Sequence, residues 1–174
     1  MNEELPIRHL FDLGDLSQAG SRVSVVANDV ERARLAEWAG VGEVRAFAAE
    51  VELRRLSRTR FAYEAELKAD IVQSCVVTLE PVASRIAKHI ARELQFSPRP
   101  LAEGGELTLS SGDDEVPESI ASLDYDLAGP LLEEFTLAID PYPRKQGASF
   151  APPADAAKSA QSPFAVLKRL KESG

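Results

Sequence analysis

The stretch Phe61-Ala-Tyr-Glu-Ala-Glu-Leu-Lys-Ala-Asp-Ile-Val72 alternates along its whole length. Phe61, Tyr63, Ala65, Leu67, Ala69 and Ile71 share one side. Ala62, Glu64, Glu66, Lys68, Asp70 and Val72 share the other, whose polarity breaks only at its two ends. A period of two with one polar face marks an antiparallel sheet lying on a core. Residues 45–54 repeat the pattern, with Phe47, Ala49, Val51 and Leu53 opposite Ala48, Glu50, Glu52 and Arg54. The link "RRLSRTR", 54–60, makes the pair a β-hairpin with an arginine-rich tip.

Upstream, "SRVSVVA" at 21–27 is rich in β-branched residues and reads as a strand, while 5–13 offer a short extended segment. Asn28 stands three residues before Glu31, the spacing of a capping box, and Gly40 supplies a C-terminal stop. A helix follows between them, with Leu35 and Trp38 toward the core. Downstream, Ile86, Ile90 and Leu94 recur every four residues. That spacing suits a helix face and one side of a strand equally, and helix propensity over 87–94 leans helical. Asp126 can cap a helix from Leu127 to about Ile139, stopped by Asp140-Pro-Tyr-Pro-Arg144.

The fold expected is therefore α+β: an antiparallel sheet around a hairpin core, packed by a few short helices. One domain spans 1–144. Residues 145–161 read as a Pro/Ala/Ser linker, and 162–174 as a short basic helix with Phe164, Leu167 and Leu170 in line. The 174 residues suffice for one such core.

Charge divides the chain. Its net charge is −8, yet from Arg99 to Asp140 eleven acids face one base, leaving the remainder at +2. Residues 99–122 read as a flexible acidic arm. An acidic whole argues against indiscriminate nucleic-acid binding, although a local basic patch suffices for a specific contact. No apolar run approaches the roughly 20 residues that cross a bilayer. The N-terminus lacks the basic-then-apolar order of a signal peptide, and one cysteine precludes an internal disulfide. A cytoplasmic protein without membrane contact is expected.

Catalytic chemistry finds little support. Cys75 with His9 and His89 does not reproduce a nucleophilic signature, and these three cannot furnish a four-ligand metal site. No glycine-rich phosphate loop occurs, and the paired acids Asp113/Asp114 and Glu133/Glu134 fit a solvated loop and helix face. No catalytic residue, metal or cofactor is expected. Cys75 reads as a small packed side chain at a strand end. Arg54, Arg55, Arg58 and Arg60 leave two readings open. One is a solubilising turn, and the other a contact with RNA phosphates, which guanidinium forks suit. The segment of Asp140, Pro141, Tyr142, Pro143 and Arg144 likewise reads as a rigid helix stop or a partner contact, Tyr142 stacking and Arg144 pairing a phosphate.

Five stretches carry a resemblance. Cys75-Val-Val-Thr-Leu-Glu-Pro-Val82 is similar to the centre of the bacterial YceD family, the large ribosomal RNA subunit accumulation proteins. Members often hold Cys-x-x-Cys here; this chain has Thr78 at the second position and no later cysteine pair, as in an alphaproteobacterial-like branch. Phe96-Ser-Pro98, Glu115-Val-Pro-Glu118, Leu137-Ala-Ile-Asp-Pro-Tyr-Pro-Arg144 and Ser162-Pro-Phe-Ala-Val-Leu167 follow in the family's order. The resemblance implies that Cys75 survives from a pair whose metal or redox role is lost here. It favours a strand over 82–96. It also implies a non-enzymatic ribosome biogenesis factor supporting 23S rRNA accumulation. The implied partner is 23S rRNA or its precursor, or a large-subunit ribosomal protein. The alternative is an adaptor or dedicated chaperone for a basic client, without RNA contact.

Overall fold

The computed structural model describes residues 5–98 and 117–149. The elements run β1 (Leu10–Asp12), a 3-10 turn (Leu13–Asp15), β2 (Ser21–Val26), α1 (Asp29–Ala39), β3 (Glu43–Arg55), β4 (Arg60–Ser74), β5 (Pro81–Phe96), β6 (Glu118–Ile120), β7 (Asp124–Asp126) and α2 (Ala128–Ala138). β2 to β6 form a five-stranded sheet in sequence order, antiparallel except for the β5–β6 pair. β1 and β7 form a separate two-stranded ribbon. The α+β expectation holds.

The hairpin core follows from its alternation. Phe61, Tyr63, Ala65, Leu67, Ala69 and Ile71 are all buried, as are Phe47, Ala49, Val51 and Leu53 across from them. Each fully buried large apolar side chain contributes about 1.5–3 kcal/mol. At the start of β3 the register slips between Val44 and Ala46, and this bulge lets Val44 and Phe47, three residues apart, both face inward. Phe47 meets Phe135 of α2 edge-on at 5.4 Å, so α2 seals this face. Tyr63 lies beneath the first turn of α2 and donates its hydroxyl to the Leu127 carbonyl at 3.0 Å. Burial raises its pKa, so the phenol stays neutral and keeps that donor.

α1 has the expected capping box: the Asn28 side chain accepts from Val30 and Glu31, and the Glu31 carboxylate accepts from the Asn28 amide. Gly40 closes it in the left-handed region at φ 66°. Leu35 is fully buried and Trp38 packs at the core's margin. α2 begins one residue later than expected. Asp126 still serves its start, Oδ1 accepting from Ala128 at 3.1 Å and from the His9 amide at 2.8 Å.

β5 is a strand, paired with β4 from Arg60↔Gln95 to Ser74↔Pro81. Ile86, Ile90 and Leu94 are buried, while Lys88 on the same face is exposed and Arg92 reaches out to Glu118 and Glu133. Long cationic side chains at inward positions suit a strand at a sheet margin, where stems can bury and heads reach water.

The reading of 99–122 as one flexible arm needs correction at its C-terminal end. Glu118–Ile120 is strand β6, parallel to the end of β5, with Ile120 buried. Three residues escape a pattern reading, because their hydrogen bonds come from a strand more than twenty residues away. Residues 99–116 and the expected basic helix lie outside the described residues, as does the linker beyond 149. Among the described residues no helix is long and apolar enough to cross a membrane.

Candidate nucleic-acid interface

The two sets of expected contact residues lie at opposite ends of β4, whose fifteen residues extend about 50 Å. At one end is the arginine hairpin. Its loop, 56–59, is closed by Leu56 and Ser57 amides on the Arg60 carbonyl, and Ser57 Oγ accepts from Thr59 and Arg60.

The four arginines separate into three roles. Arg55 is structural: Nη2 donates to the carbonyls of Leu13 at 3.0 Å and Gly14 at 2.8 Å, and its guanidinium lies 5.5 Å from the Phe61 ring centre. It ties the N-terminal 3-10 turn to the hairpin and is withdrawn from any phosphate. Arg54 pairs with Glu64, and Arg60 with Glu93, on the outer face of the sheet. Arg58 is exposed at the loop and has no ion-pair partner among the described residues. The hairpin thus offers one guanidinium without an ion-pair partner among the described residues, flanked by two exchangeable pairs. Exposed pairs of this kind are worth about 0–1 kcal/mol, so a phosphate can compete for them.

At the other end two turns interlock. The first follows β4. Cys75 donates its amide to the Glu80 carbonyl at 2.8 Å, and Leu79 donates to the Cys75 carbonyl at 2.9 Å. Leu79 closes this turn at φ 62°, a left-handed conformation that favours glycine. The fully buried Cys75 sulfur accepts amides of Val77 and Thr78, each at 3.4 Å.

The second turn is 140–145. Asp140 Oδ1 accepts the Tyr142 amide at 2.8 Å, an Asx turn that sets the chain's path after α2. The Asp140 carbonyl accepts from Gln73 Nε2 at 2.8 Å, and the Pro143 carbonyl from the Val76 amide at 2.9 Å. Lys145 contributes twice, its amide to Cys75 Sγ at 3.4 Å and its Nζ to Glu80 at 2.9 Å.

Of the expected contact residues, Pro143 is buried in the junction, while Asp140, Pro141, Tyr142 and Arg144 are exposed. Tyr142 does not pack on the core. Arg144 has no ion-pair partner among the described residues.

This junction changes the chemistry of Cys75. The amide of Lys145 is the largest influence, followed by the hydroxyl and amide of Thr78. Together with Val77 they outweigh burial and push the thiol down to about 6. These donors favour the thiolate over the thiol, and the sulfur joins two turns as well as filling space. The hydrogen bond and charge of Lys145, with the Thr78 hydroxyl, hold Glu80 below the ordinary carboxylate range. Neither histidine is placed to act on the thiol. His89 pairs with Glu66 at 2.8 Å, nine residues back along β4, and the His9 backbone is bound into the β1–β7 corner.

Sequence reading did not single out Leu79, Gln73 or Lys145. None of the three carries a local signal: a leucine gives no sign of a left-handed backbone, and the partners of Gln73 and Lys145 are 67 and 70 residues distant.

No family model, curated protein or solved structure matches the chain.

Proposed function

We propose that the chain is a non-enzymatic, cytoplasmic ribosome-assembly factor. It supports accumulation of 23S rRNA by contacting large-subunit RNA or its precursor, with a large-subunit ribosomal protein as a further partner. One observation carries this reading: the Val76 amide bonds the Pro143 carbonyl, joining the 75–82 and 137–144 stretches. Both stretches carry the resemblance to the YceD family. Their junction leaves Tyr142 and Arg144 facing outward, the ring and the cation that an RNA contact uses.

A second reading has its own support. On the outer face of the sheet Glu50 stands directly opposite Glu66, and Glu52 opposite Glu64. Arg22, Arg54 and His89 stand beside Glu52, Glu64 and Glu66, so a cationic segment laid here would meet Glu50 as the one carboxylate of the four without an ion-pair partner among the described residues. An adaptor for a basic client would use this face and need no RNA.

Binding of the full chain to 23S rRNA fragments and to a basic ribosomal protein, titrated from low to high salt, separates the two. The assembly reading expects RNA binding that weakens steeply with salt, and a deletion strain depleted of large subunits. Client binding with no RNA binding at low salt would replace it with the adaptor.

A further inference from the structure

The turn at 75–80 contains a residue that neither packing nor backbone geometry requires. Leu79 sits at φ 62°, a left-handed conformation that strains a non-glycine residue. Its side chain is 78% exposed, so burial does not compensate for that strain. Glycine would satisfy the same turn at less cost. Leu79 is one residue from Glu80, whose carboxylate is held by Lys145 of the facing turn. Val76, 47% exposed, is bonded through its amide to Pro143, the neighbour of Tyr142, itself 71% exposed. Val76, Leu79 and Tyr142 are thus three exposed residues on two turns joined backbone to backbone, a corner fixed to the domain through Cys75, Gln73 and Glu80.

The corner's charges are unevenly engaged. Glu80 is paired with Lys145, while the exposed Asp140 accepts the Tyr142 amide through one carboxylate oxygen. Arg144 is exposed and has no ion-pair partner among the described residues. An exposed ring two residues from an uncommitted guanidinium, on a turn bonded to a second one that carries exposed aliphatic residues, matches a nucleotide whose base is open and whose phosphate is adjacent. A duplex hides its base faces within the stack, so only an unpaired stretch offers them.

We infer that the corner formed by the 75–80 and 140–145 turns binds single-stranded RNA, a base stacking on Tyr142 against Val76 and Leu79 while Arg144 holds a phosphate. This rests on the RNA reading above and assigns it a substrate class and an apolar contact that charge alone does not indicate. The inward-facing Cys75 sulfur takes no part in the contact; it positions the second turn.

The test uses the full chain and a fluorescently labelled single-stranded RNA oligomer of mixed sequence, alone and annealed to its complement, at low salt. The single strand binds more tightly than the duplex. Tyr142→Ala weakens single-strand binding about tenfold, as expected for loss of one stacked base, and Tyr142→Phe stays within about twofold of wild type because the ring is retained. Leu79→Gly gives the sharpest result: weaker RNA binding at an unchanged or higher urea midpoint, which a merely structural role cannot produce. Wild-type affinity in both Tyr142→Ala and Leu79→Gly overturns the corner site while leaving RNA binding elsewhere, at Arg58 for instance, intact. Equal binding of duplex overturns the single-strand assignment. Capture of a ribosomal protein by the corner, with no RNA bound by wild type, overturns the corner site and the RNA reading together.

Discussion

The backbone amide of Lys145 points at the sulfur of Cys75, 3.4 Å away and seventy residues distant in sequence. With the Val76–Pro143 and Lys145–Glu80 bonds it makes one junction of two turns. It also gives the chain's only cysteine a titration that reports the junction. An unperturbed thiol titrates at 9.0, and this one is pushed down to about 6. The folded state therefore releases the proton first. The resulting stabilisation is complete above about pH 9 and is lost as pH falls through about 6. Urea midpoints of wild type should rise across this window relative to Cys75→Ala, which keeps every other ionisable group. Parallel profiles for the two proteins would mean that the sulfur stays protonated.

Arg55 and Arg58 should behave oppositely although only two residues separate them. Arg55→Ala removes donors to two carbonyls and a contact with Phe61. It should cost about 1–3 kcal/mol in denaturant unfolding. Arg58→Ala touches no such partner and should stay within about 0.5 kcal/mol of wild type. If Arg58 reaches a phosphate, its variant also lowers the slope of log affinity against log salt by about 1. A destabilised Arg58→Ala would show that the loop is held by contacts beyond the Ser57 hydroxyl.

Asn28→Ala should cost about 1 kcal/mol, because it leaves the Val30 and Glu31 amides without their acceptor. The loss would appear in the urea midpoint. Glu31→Gln should cost less, since the amide oxygen can still accept from the Asn28 backbone.

Tyr63→Phe keeps the ring in the core and removes only the bond to the Leu127 carbonyl. A loss of about 1 kcal/mol is expected from thermal or urea unfolding. Phe135→Ala should cost about 3–5 kcal/mol, since it deletes a fully buried ring that packs edge-on against Phe47. Near-equal losses would indicate that α2 is anchored mainly by the hydroxyl.

The parts of the fold legible in the sequence are those whose cause is short in range. The Asn28/Glu31 cap closes over three residues. The alternation of 45–54 and 61–72 expresses the two-residue repeat of a strand. β5 was harder, because a spacing of four is compatible with the strand repeat and close to the helix repeat. Its residues are strand because β4 offers a full row of partners, an interaction outside the segment itself. β6 is too short and too acidic for any pattern to show, and its order comes from the end of β5.

At the candidate site, residue types alone picked out the arginine cluster and the 140–144 turn. They could not say which guanidiniums remain free. That depends on sheet register, which places Glu64 and Glu93 beside Arg54 and Arg60, and on the path of residues 13–14 across Arg55. Nor could sequence alone join Cys75 to Lys145. Local chain chemistry determined the hairpin, the capped helix and the 140–144 turn, because hydrophobic period, caps and prolines act within a few residues. The tertiary structure decided which charges are neutralised and which turns share a sulfur, because those partners meet only when the long strands have paired.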